Sequence, residues 1–220
     1  HSMPLFELIS PILKMPFIAS FIAFLLIITE AFLLNFIVNE NEIITEQSYL
    51  PALFYVSFMI NHFTMQALHP LIFSNFFALL ALHRLLSSYR KDSAFSNAFD
   101  SGILLSIASL FYLPYIVFFP LLGIGLLLIR SFSWREWVIS FFGVIVPYLF
   151  IVVYFFWNDK LDIISDTISF YFQLDFNTPN TISNSYYFTL GVGSLIVLLS
   201  LRKLFNELSF GSQKSKKGTM

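Results

Sequence analysis

The sequence predicts an all-helical protein that crosses a membrane several times, and three observations lead to this fold class. Of the 220 residues, 57% are hydrophobic and 11% are charged, whereas soluble domains carry about 25% charged residues. The mean hydropathy is +0.78. The apolar residues fall in runs close to the roughly 20 residues that a helix needs to cross a hydrocarbon core of about 30 Å. One soluble core of this size could not bury so much apolar surface.

Seven apolar stretches are predicted as membrane segments. They cover residues 16–38, 50–68, 70–86, 102–113, 115–129, 137–157 and 186–201. The fourth and fifth stretches flank Pro114, and one helix across both would be far too long for a single span. Because proline excludes the preceding residue from the helical region, we expect a short hairpin at residues 112–115. Pro120 and Pro147 fall inside predicted spans, where each is expected to kink its helix.

Lysine and arginine in short loops predict which helix ends face the cytoplasm. Three basic clusters are assigned to that side: Arg84, Arg90 and Lys91; Arg130 and Arg135; and Arg202, Lys203, Lys214, Lys216 and Lys217. Counting spans backwards puts His69 outside, residues 39–49 inside and the amino terminus outside. A rival arrangement puts the glutamates of residues 40–46 outside and makes residues 50–68 a re-entrant or interfacial segment.

The chain is expected to form one transmembrane domain, residues 1–204, followed by a flexible cytoplasmic tail, residues 205–220. The tail is polar and rich in lysine, which is typical of mobile termini. The longest extramembrane segment is residues 158–185, where we expect an interfacial amphipathic helix and a loop on the outer face. The exterior start predicts a further span before the first residue, or a cloning remnant in the first two residues.

Charge and motifs exclude several classes of function. The 12 basic and 13 acidic residues give a net charge of −1, so no global basic field exists for nucleic acid to bind. The chain has no cysteine, which excludes disulfides, thiolate metal sites and cysteine nucleophiles. It contains no nucleotide-binding glycine motif, no zinc-protease motif and no serine-hydrolase motif. We therefore predict no cofactor and no metal site.

Polar residues inside apolar segments are costly, and they are functional candidates for that reason. Glu30 lies inside the first predicted span, and Asn61 and His62 lie about as deep in the second. His62, Gln66 and His69 follow at i, i+4 and i+7, so they share one helix face. This candidate intramembrane site could ligate a metal, relay protons or bind a polar head group. The alternative is that these groups only form hydrogen bonds between helices.

A second set of candidate residues lies where helices meet the cytoplasmic surface: Arg84, Asp100, Arg130, Trp134, Arg135 and Glu136. Cations and indoles at that depth anchor helix ends to lipid phosphates and fix the orientation of the protein. The functional alternative is a phosphate-binding patch for a polyprenyl phosphate or an anionic lipid. In that patch Asp100 and Glu136 would orient the arginines.

Four runs carry a resemblance to known sequences: residues 48–55 (SYLPALFY), 68–82 (LHPLIFSNFFALLAL), 99–122 (FDSGILLSIASLFYLPYIVFFPLL) and 130–159 (RSFSWREWVISFFGVIVPYLFIVVYFFWND). Together they resemble a family of uncharacterised multi-pass inner-membrane proteins of Bacteroidetes bacteria. The resemblance extends from residue 4 to about residue 202 and rests on whole segments rather than on a catalytic motif. It implies a multi-pass helical fold and names no reaction.

The sequence leaves three functions open, all in the bacterial inner membrane. The first is a non-enzymatic subunit or scaffold of a cell-envelope assembly, with membrane lipids and envelope proteins as partners. The second is an enzyme with an outward-facing site, because the hairpin run resembles the short paired helices of glycosyltransferases that use lipid-linked (polyprenyl-phosphate) sugars. The third is a transporter subunit in which Glu30 and His62 line a wet path.

Overall fold

The computed structural model describes residues 5–6, 15–43, 48–62, 69–89, 95–129 and 134–162, with residues 164, 169 and 191. Six α-helices and one 3₁₀ segment make up these ranges, and no strand is present among them. The elements are α1 (Pro16–Glu40), α2 (Leu50–His62), α3 (Pro70–Leu86), α4 (Phe95–Phe111), the 3₁₀ segment (Leu113–Phe118), α5 (Phe119–Ile129) and α6 (Trp134–Trp157). The predicted all-helical fold class is confirmed for this part of the chain.

Two of the described helices are long and apolar enough to cross a membrane by themselves. They are Phe17–Glu40 within α1 and Trp134–Trp157, which is α6. The shorter apolar helices have 10–17 residues, which is less than the roughly 20 that a span requires. Seven membrane segments are therefore not confirmed. The seventh predicted stretch, apart from residue 191, and the tail after residue 204 lie outside the described residues.

Prolines mark where most of these segments begin. Five of them are the first or second residue of a helix or of the 3₁₀ segment: Pro16, Pro51, Pro70, Pro114 and Pro120. The backbone nitrogen at that position has no partner within the helix, and the fixed φ of proline suits a first turn. Pro120 therefore starts α5, and the kink expected there is wrong. Pro147 does lie inside α6, where the carbonyl of Gly143 loses its helical donor.

Helices α1 and α3 point in the same direction, and α2 returns between them. Ala23 of α1 packs in one cluster with Ile72 near the start of α3. At the other end, Glu40 lies beside His83, with Oε2 3.4 Å from Nδ1. The end of α1 is therefore at the end of the bundle that carries Arg84, as counting spans from the basic clusters predicts. The rival arrangement requires α1 to end on the opposite side, and it is wrong.

Helix α4 runs antiparallel to α3. Near its start, Asp100 Oδ2 lies 3.8 Å from Arg84 Nε. At its end, Phe111 stacks on Phe73 and Phe77 of α3, with ring centroids 5.1 and 5.7 Å apart. The chain then turns through the 3₁₀ segment and returns beside α3 and α4 as α5. The predicted hairpin is confirmed, although its turn extends to residue 118 instead of ending at residue 115.

Helices α4 and α6 cross with their backbones in contact. A Cβ atom on Gly102 of α4 would clash with the carbonyl oxygen of Ser140, and a Cβ atom on Gly143 of α6 would clash with that of Phe99. Small residues are what allow two helices to approach this closely. The crossing therefore depends on both glycines, one from each helix.

The two crossing helices also run in the same direction. The hydroxyl groups of Ser109 and Tyr148, each further along its helix, share a hydrogen bond of 2.7 Å. Both helices therefore begin at the same end, so Arg135 in the first turn of α6 lies at the end that carries Arg84. Two of the predicted basic clusters meet there. Their other members, Arg90, Lys91 and Arg130, and the whole third cluster lie outside the described residues.

Adding a methyl group at the crossing is expected to destabilise the protein. Gly102→Ala and Gly143→Ala each force two backbones apart, and overpacking of this kind costs about 1–3 kcal/mol. Thermal unfolding in detergent, followed by tryptophan fluorescence, measures the effect. Gly191→Ala is the control, because a Cβ atom there meets no atom of the described residues within 4 Å. Equal midpoints for all three variants would contradict a crossing set by its glycines.

Candidate functional site

One stripe of α1 is buried against its neighbours, and Glu30 belongs to it. The stripe consists of residues three or four positions apart: Ala19, Ala23, Ile27, Glu30 and Ala31. This spacing keeps them on one helix face, and the alanines let the neighbouring helices approach. Glu30 is fully enclosed, with 0% of its surface exposed. A carboxyl group without water contact has to find its hydrogen-bond partners inside the protein.

One carboxyl oxygen, Oε2, accepts a hydrogen bond from a side chain of another segment, and two further side chains extend this bond into a network. The other oxygen, Oε1, is buried without a hydrogen-bond partner among the described residues. The Tyr55 hydroxyl of α2 donates to Glu30 Oε2 at 2.5 Å. Asn75 Nδ2 of α3 donates to the Tyr55 hydroxyl, also at 2.5 Å, and the Tyr115 hydroxyl of the 3₁₀ segment donates to Asn75 Oδ1 at 3.1 Å. These four side chains are termed the Glu30 chain below. It connects α1, α2, α3 and the 3₁₀ segment in one hydrogen-bonded network.

Every donor in the Glu30 chain points toward the carboxyl group. Tyr115 donates to Asn75, Asn75 to Tyr55, and Tyr55 to Glu30. Hydrogen bonds aligned in one direction polarise one another, and bonds to a charged acceptor are the stronger kind. Both ion pairs found in the described part of the chain involve other acidic residues. Hydroxyl and amide groups therefore occupy the space beside the carboxyl group of Glu30 where a cation would otherwise be needed.

His69 caps the start of α3. Its Nδ1 accepts a hydrogen bond from the backbone N–H of Leu71 at 3.2 Å, which satisfies one of the unpaired donors of a first turn. The ring packs edge-on against Tyr112, with centroids 6.3 Å apart. Partial burial lowers the pKa of His69 below its usual value. Tyr112 also contacts the ring of Tyr115 at 6.2 Å, so aromatic rings lead from His69 to the last member of the Glu30 chain.

The predicted polar stripe on the second segment is described only in part. Asn61 and His62 are the last residues of α2, but their side chains lie outside the described residues, as does Gln66. Of the five candidates, the structure places Glu30 and His69, at opposite ends of one polar and aromatic path. In the part of the chain that the structure describes, no three His, Cys, Asp or Glu side chains are grouped so as to hold a metal ion.

The predicted head-group residues gather at the end that carries Arg84. Arg84 pairs with Asp100, and the guanidinium of Arg135 lies over the exposed ring of Trp134, 5.9 Å from its centroid. Glu136 is buried, with 4% of its surface exposed. Arg130 lies outside the described residues. The exposed arginine and indole stand where a lipid head group could reach both.

Three members of the Glu30 chain were not predicted from the sequence: Tyr55, Asn75 and Tyr115. Each carries a polar group within an apolar run, which is the same signal that identifies Glu30. Tyrosine, however, is also common as an anchor at a membrane surface, so its presence alone does not predict a buried partner. The three side chains meet because α2 returns beside α1 and because the hairpin brings the 3₁₀ segment back to α3.

A cavity of about 290 Å³ lies beside the Glu30 chain, between α3, α4 and α5. Asn75 and Tyr115 are its polar lining residues, and the remaining wall is apolar. Glu30 does not line it. The cavity therefore reaches the buried carboxyl group only through the hydrogen bonds of Asn75 and Tyr55.

Comparison with known proteins places the chain in a family. The model of a family of unknown function, DUF6427, matches residues 5–217, which is nearly the whole sequence. The chain belongs to the DUF6427 family. No curated protein and no solved structure matches it. Because the DUF6427 family has no assigned activity, the function has to be argued from the geometry of this chain.

Removing the central hydroxyl of the Glu30 chain is expected to lower stability. Tyr55→Phe leaves the carboxyl of Glu30 and the amide of Asn75 buried without their shared partner, which costs about 1–3 kcal/mol. Equilibrium unfolding in mixed micelles measures the change. Tyr49→Phe removes the same hydroxyl from a side chain that is 75% exposed and should change little. A fully stable Tyr55→Phe variant would rule out an energetic role for the network.

Acidification is expected to weaken the start of α3 through His69. Neutral Nδ1 can accept the Leu71 N–H, whereas protonated Nδ1 cannot. Because the pKa of His69 is lowered from 6.5 in the folded chain, the contribution to stability is present above about pH 6.5 and is lost as the pH falls through the folded value. His69→Asn keeps a capping acceptor that does not titrate. Thermal midpoints should therefore fall less on acidification in His69→Asn than in the unmodified protein, and parallel curves would contradict this role.

Proposed function

We propose that the chain is a multi-pass protein of the bacterial inner membrane, and that it serves as a non-enzymatic subunit or scaffold of a cell-envelope assembly. The Glu30 chain carries this proposal. A buried acidic side chain whose partners all come from neighbouring segments of the same protein joins those segments together, which is what a structural role requires. The resemblance to inner-membrane proteins of Bacteroidetes bacteria supports the same location.

Exposed apolar side chains support a membrane location. On α6 they extend along the whole helix: Val138, Phe141, Phe142, Ile145, Leu149, Phe150, Val152, Val153, Phe156 and Trp157. On α1 they include Phe17, Phe21, Phe24, Leu25, Ile28, Phe32 and Phe36. The largest apolar patch on a soluble monomer is about 300–600 Å², and two helices of 24–25 residues with such faces call for lipid or a protein partner around them.

The orientation follows from the end that Arg84 and Arg135 share. Cationic helix ends face the cytoplasm, so this end is proposed to be cytoplasmic and the turn with His69 to be outside. The exposed Trp134 beside Arg135 fits an anchor at the lipid head groups. On this orientation the carboxyl terminus, after the span predicted over residues 186–201, is cytoplasmic as well.

The geometry supports the transporter less well. A transported ion or proton would need water beside Glu30, and this side chain is enclosed and bonded to Tyr55. The glycosyltransferase-like enzyme would need cations for a polyprenyl phosphate at the outer face. His69 there uses Nδ1 to cap α3, and no cationic side chain lines the cavity beside Asn75.

Exchanging the buried carboxyl for an amide separates these functions. Glu30→Gln keeps an oxygen that can accept from Tyr55, so a scaffold should retain its co-purifying proteins in mild detergent and should complement a strain that lacks the gene. His62→Gln is expected to behave in the same way. Glu30→Leu removes the acceptor and should destabilise the fold. Mass spectrometry of the co-purified proteins and growth of the complemented strain are the measurements.

Glu42→Gln is the matched control, because Glu42 is exposed and the substitution makes the same chemical change outside the bundle. A Glu30→Gln variant that folds and keeps its partners but fails to complement would overturn the scaffold proposal. That result would favour catalysis or transport through Glu30. Failure of the full-length chain to co-purify any protein in stoichiometric amount would also count against a subunit of an assembly.

A further inference from the structure

We infer that the cavity between α3 and α5 binds a neutral amphiphile with a single hydrocarbon chain, of the class of long-chain alcohols. Its oxygen-bearing head would lie at Asn75 and Tyr115, and its chain would extend toward Leu85. This ligand site is independent of the scaffold role. It rests only on the membrane location proposed above.

The shape of the cavity fits a slender chain. Along α3 its wall follows one face, from Asn75 through Ala78 and Leu82 to Leu85, and ten residues of helix extend about 15 Å. Ala78 and Ala81 leave space where larger side chains would fill it. The volume of about 290 Å³ is at the lower limit of small-molecule sites, roughly 300–1,000 Å³. A bulky or two-chain lipid would not fit within it.

The cavity opens sideways, between α3 and α5. Leu82, Phe118 and Leu121 line it and are also 38%, 48% and 54% exposed. On the other side its floor is formed by buried residues of the core, among them Leu105 and Leu122. In the proposed membrane location the opening faces hydrocarbon. A ligand dissolved in the bilayer can therefore enter without passing through water.

The polar end offers hydrogen-bonding capacity that the Glu30 chain leaves unused. Asn75 donates one N–H to Tyr55 and accepts one hydrogen bond from Tyr115. An amide has two N–H donors and two acceptor positions, and a tyrosine oxygen also accepts. One donor on Asn75 and acceptor positions on Asn75 and Tyr115 therefore remain for a ligand. A hydroxyl group, which donates and accepts, matches both kinds of position.

The charge of the lining residues selects a neutral head group. Of the described residues, two polar and nine apolar side chains line the cavity, and none of these is charged. A phosphate or carboxylate placed at Asn75 would be removed from water without a cation, which is strongly unfavourable. An alcohol carries no charge and avoids this penalty.

Photolabelling of the full chain in lipid nanodiscs tests this site. The probe is a long-chain alcohol that carries a diazirine at mid-chain, and the competitors are the unlabelled alcohol, the alkane and the carboxylic acid of the same length. We expect saturable labelling of peptides from α3 and α5, suppressed by the alcohol and not by the alkane or the acid. This measurement uses the unmodified protein and needs no variant to fold.

Ala78→Phe fills the cavity and is expected to reduce labelling by about tenfold, which corresponds to a loss of roughly 1.4 kcal/mol in binding. Leu149→Phe is the control, because it adds a phenyl ring on the exposed face of α6 and should leave labelling unchanged. Tyr115→Phe keeps the cavity but removes an acceptor, and it should reduce the preference for the alcohol over the alkane, because the positions on Asn75 remain.

Three results would overturn the site. Labelling of α6 as strong as that of α3 and α5 would mean contact with bulk lipid only. Equal competition by the alkane would mean that the head group is not recognised, and equal competition by the acid would mean that neutrality is not selected. Failure of the membrane location is distinguishable, since the chain would then stay in solution without detergent and would not enter nanodiscs.

Discussion

The arrangement of the first half of the protein depends on the burial of one carboxyl group. Glu30 has no exposed surface and no cation as partner among the described residues, so its environment must supply hydrogen-bond donors. The donors come from α2, α3 and the 3₁₀ segment, and each can reach the carboxyl, directly or through its neighbour, only when its segment is correctly packed. A single polar group thus fixes how four segments lie relative to one another, in a protein whose apolar contacts alone are not directional.

The second half relies on a different constraint, the close approach of two backbones. Gly102 and Gly143 each lie against a carbonyl oxygen of the opposing helix. In the membrane location proposed above, helices would gain little by hiding apolar surface from each other, and close packing of small residues would contribute more. This explains why α4 buries serine, glycine and alanine while Phe141, Phe142, Phe150 and Phe156 of α6 are exposed. The two halves meet at α3 and α4, which pack against each other along most of their length.

The Glu30 chain and the cavity share two side chains. Asn75 and Tyr115 hold the Glu30 chain together on one side and line the cavity on the other. A ligand at the cavity would therefore bond to the same groups that position α3 against the 3₁₀ segment. Such an arrangement couples occupancy of the cavity to the stability of the bundle, because a ligand that binds only the folded state stabilises it by mass action. An envelope subunit built in this way would be most stable where its lipid is present.

Much of the fold could be predicted from the sequence, because helix starts and stops are local. Pro16, Pro70 and Pro114 begin segments where proline chemistry places them, and the apolar runs are helical wherever the structure describes them. Pro120 could not be assigned in this way. A proline starts a helix or kinks it depending on where the preceding turn ends, and here the turn continues to residue 118, so that Pro120 starts α5. Of the site, Glu30 and His69 are predicted from polarity. Asn75 carries the same signal but was not predicted, and Tyr55 and Tyr115 could not be predicted because tyrosine is also common at membrane surfaces.

The sequence by itself determined that the protein is helical, that its composition is unusually apolar, and which polar groups are costly to bury, since these properties depend on composition and on spacing within a segment. Only the tertiary structure decided that α1 and α3 run in the same direction and that a cavity adjoins Asn75. It also decided that the hydrogen-bond partner of Glu30 is Tyr55, whereas the sequence had grouped Glu30 with His62 and His69. These features require contacts between residues about 20–40 positions apart. Such contacts depend on how helices pack, and the residue pattern of one helix does not predict which helix packs against it.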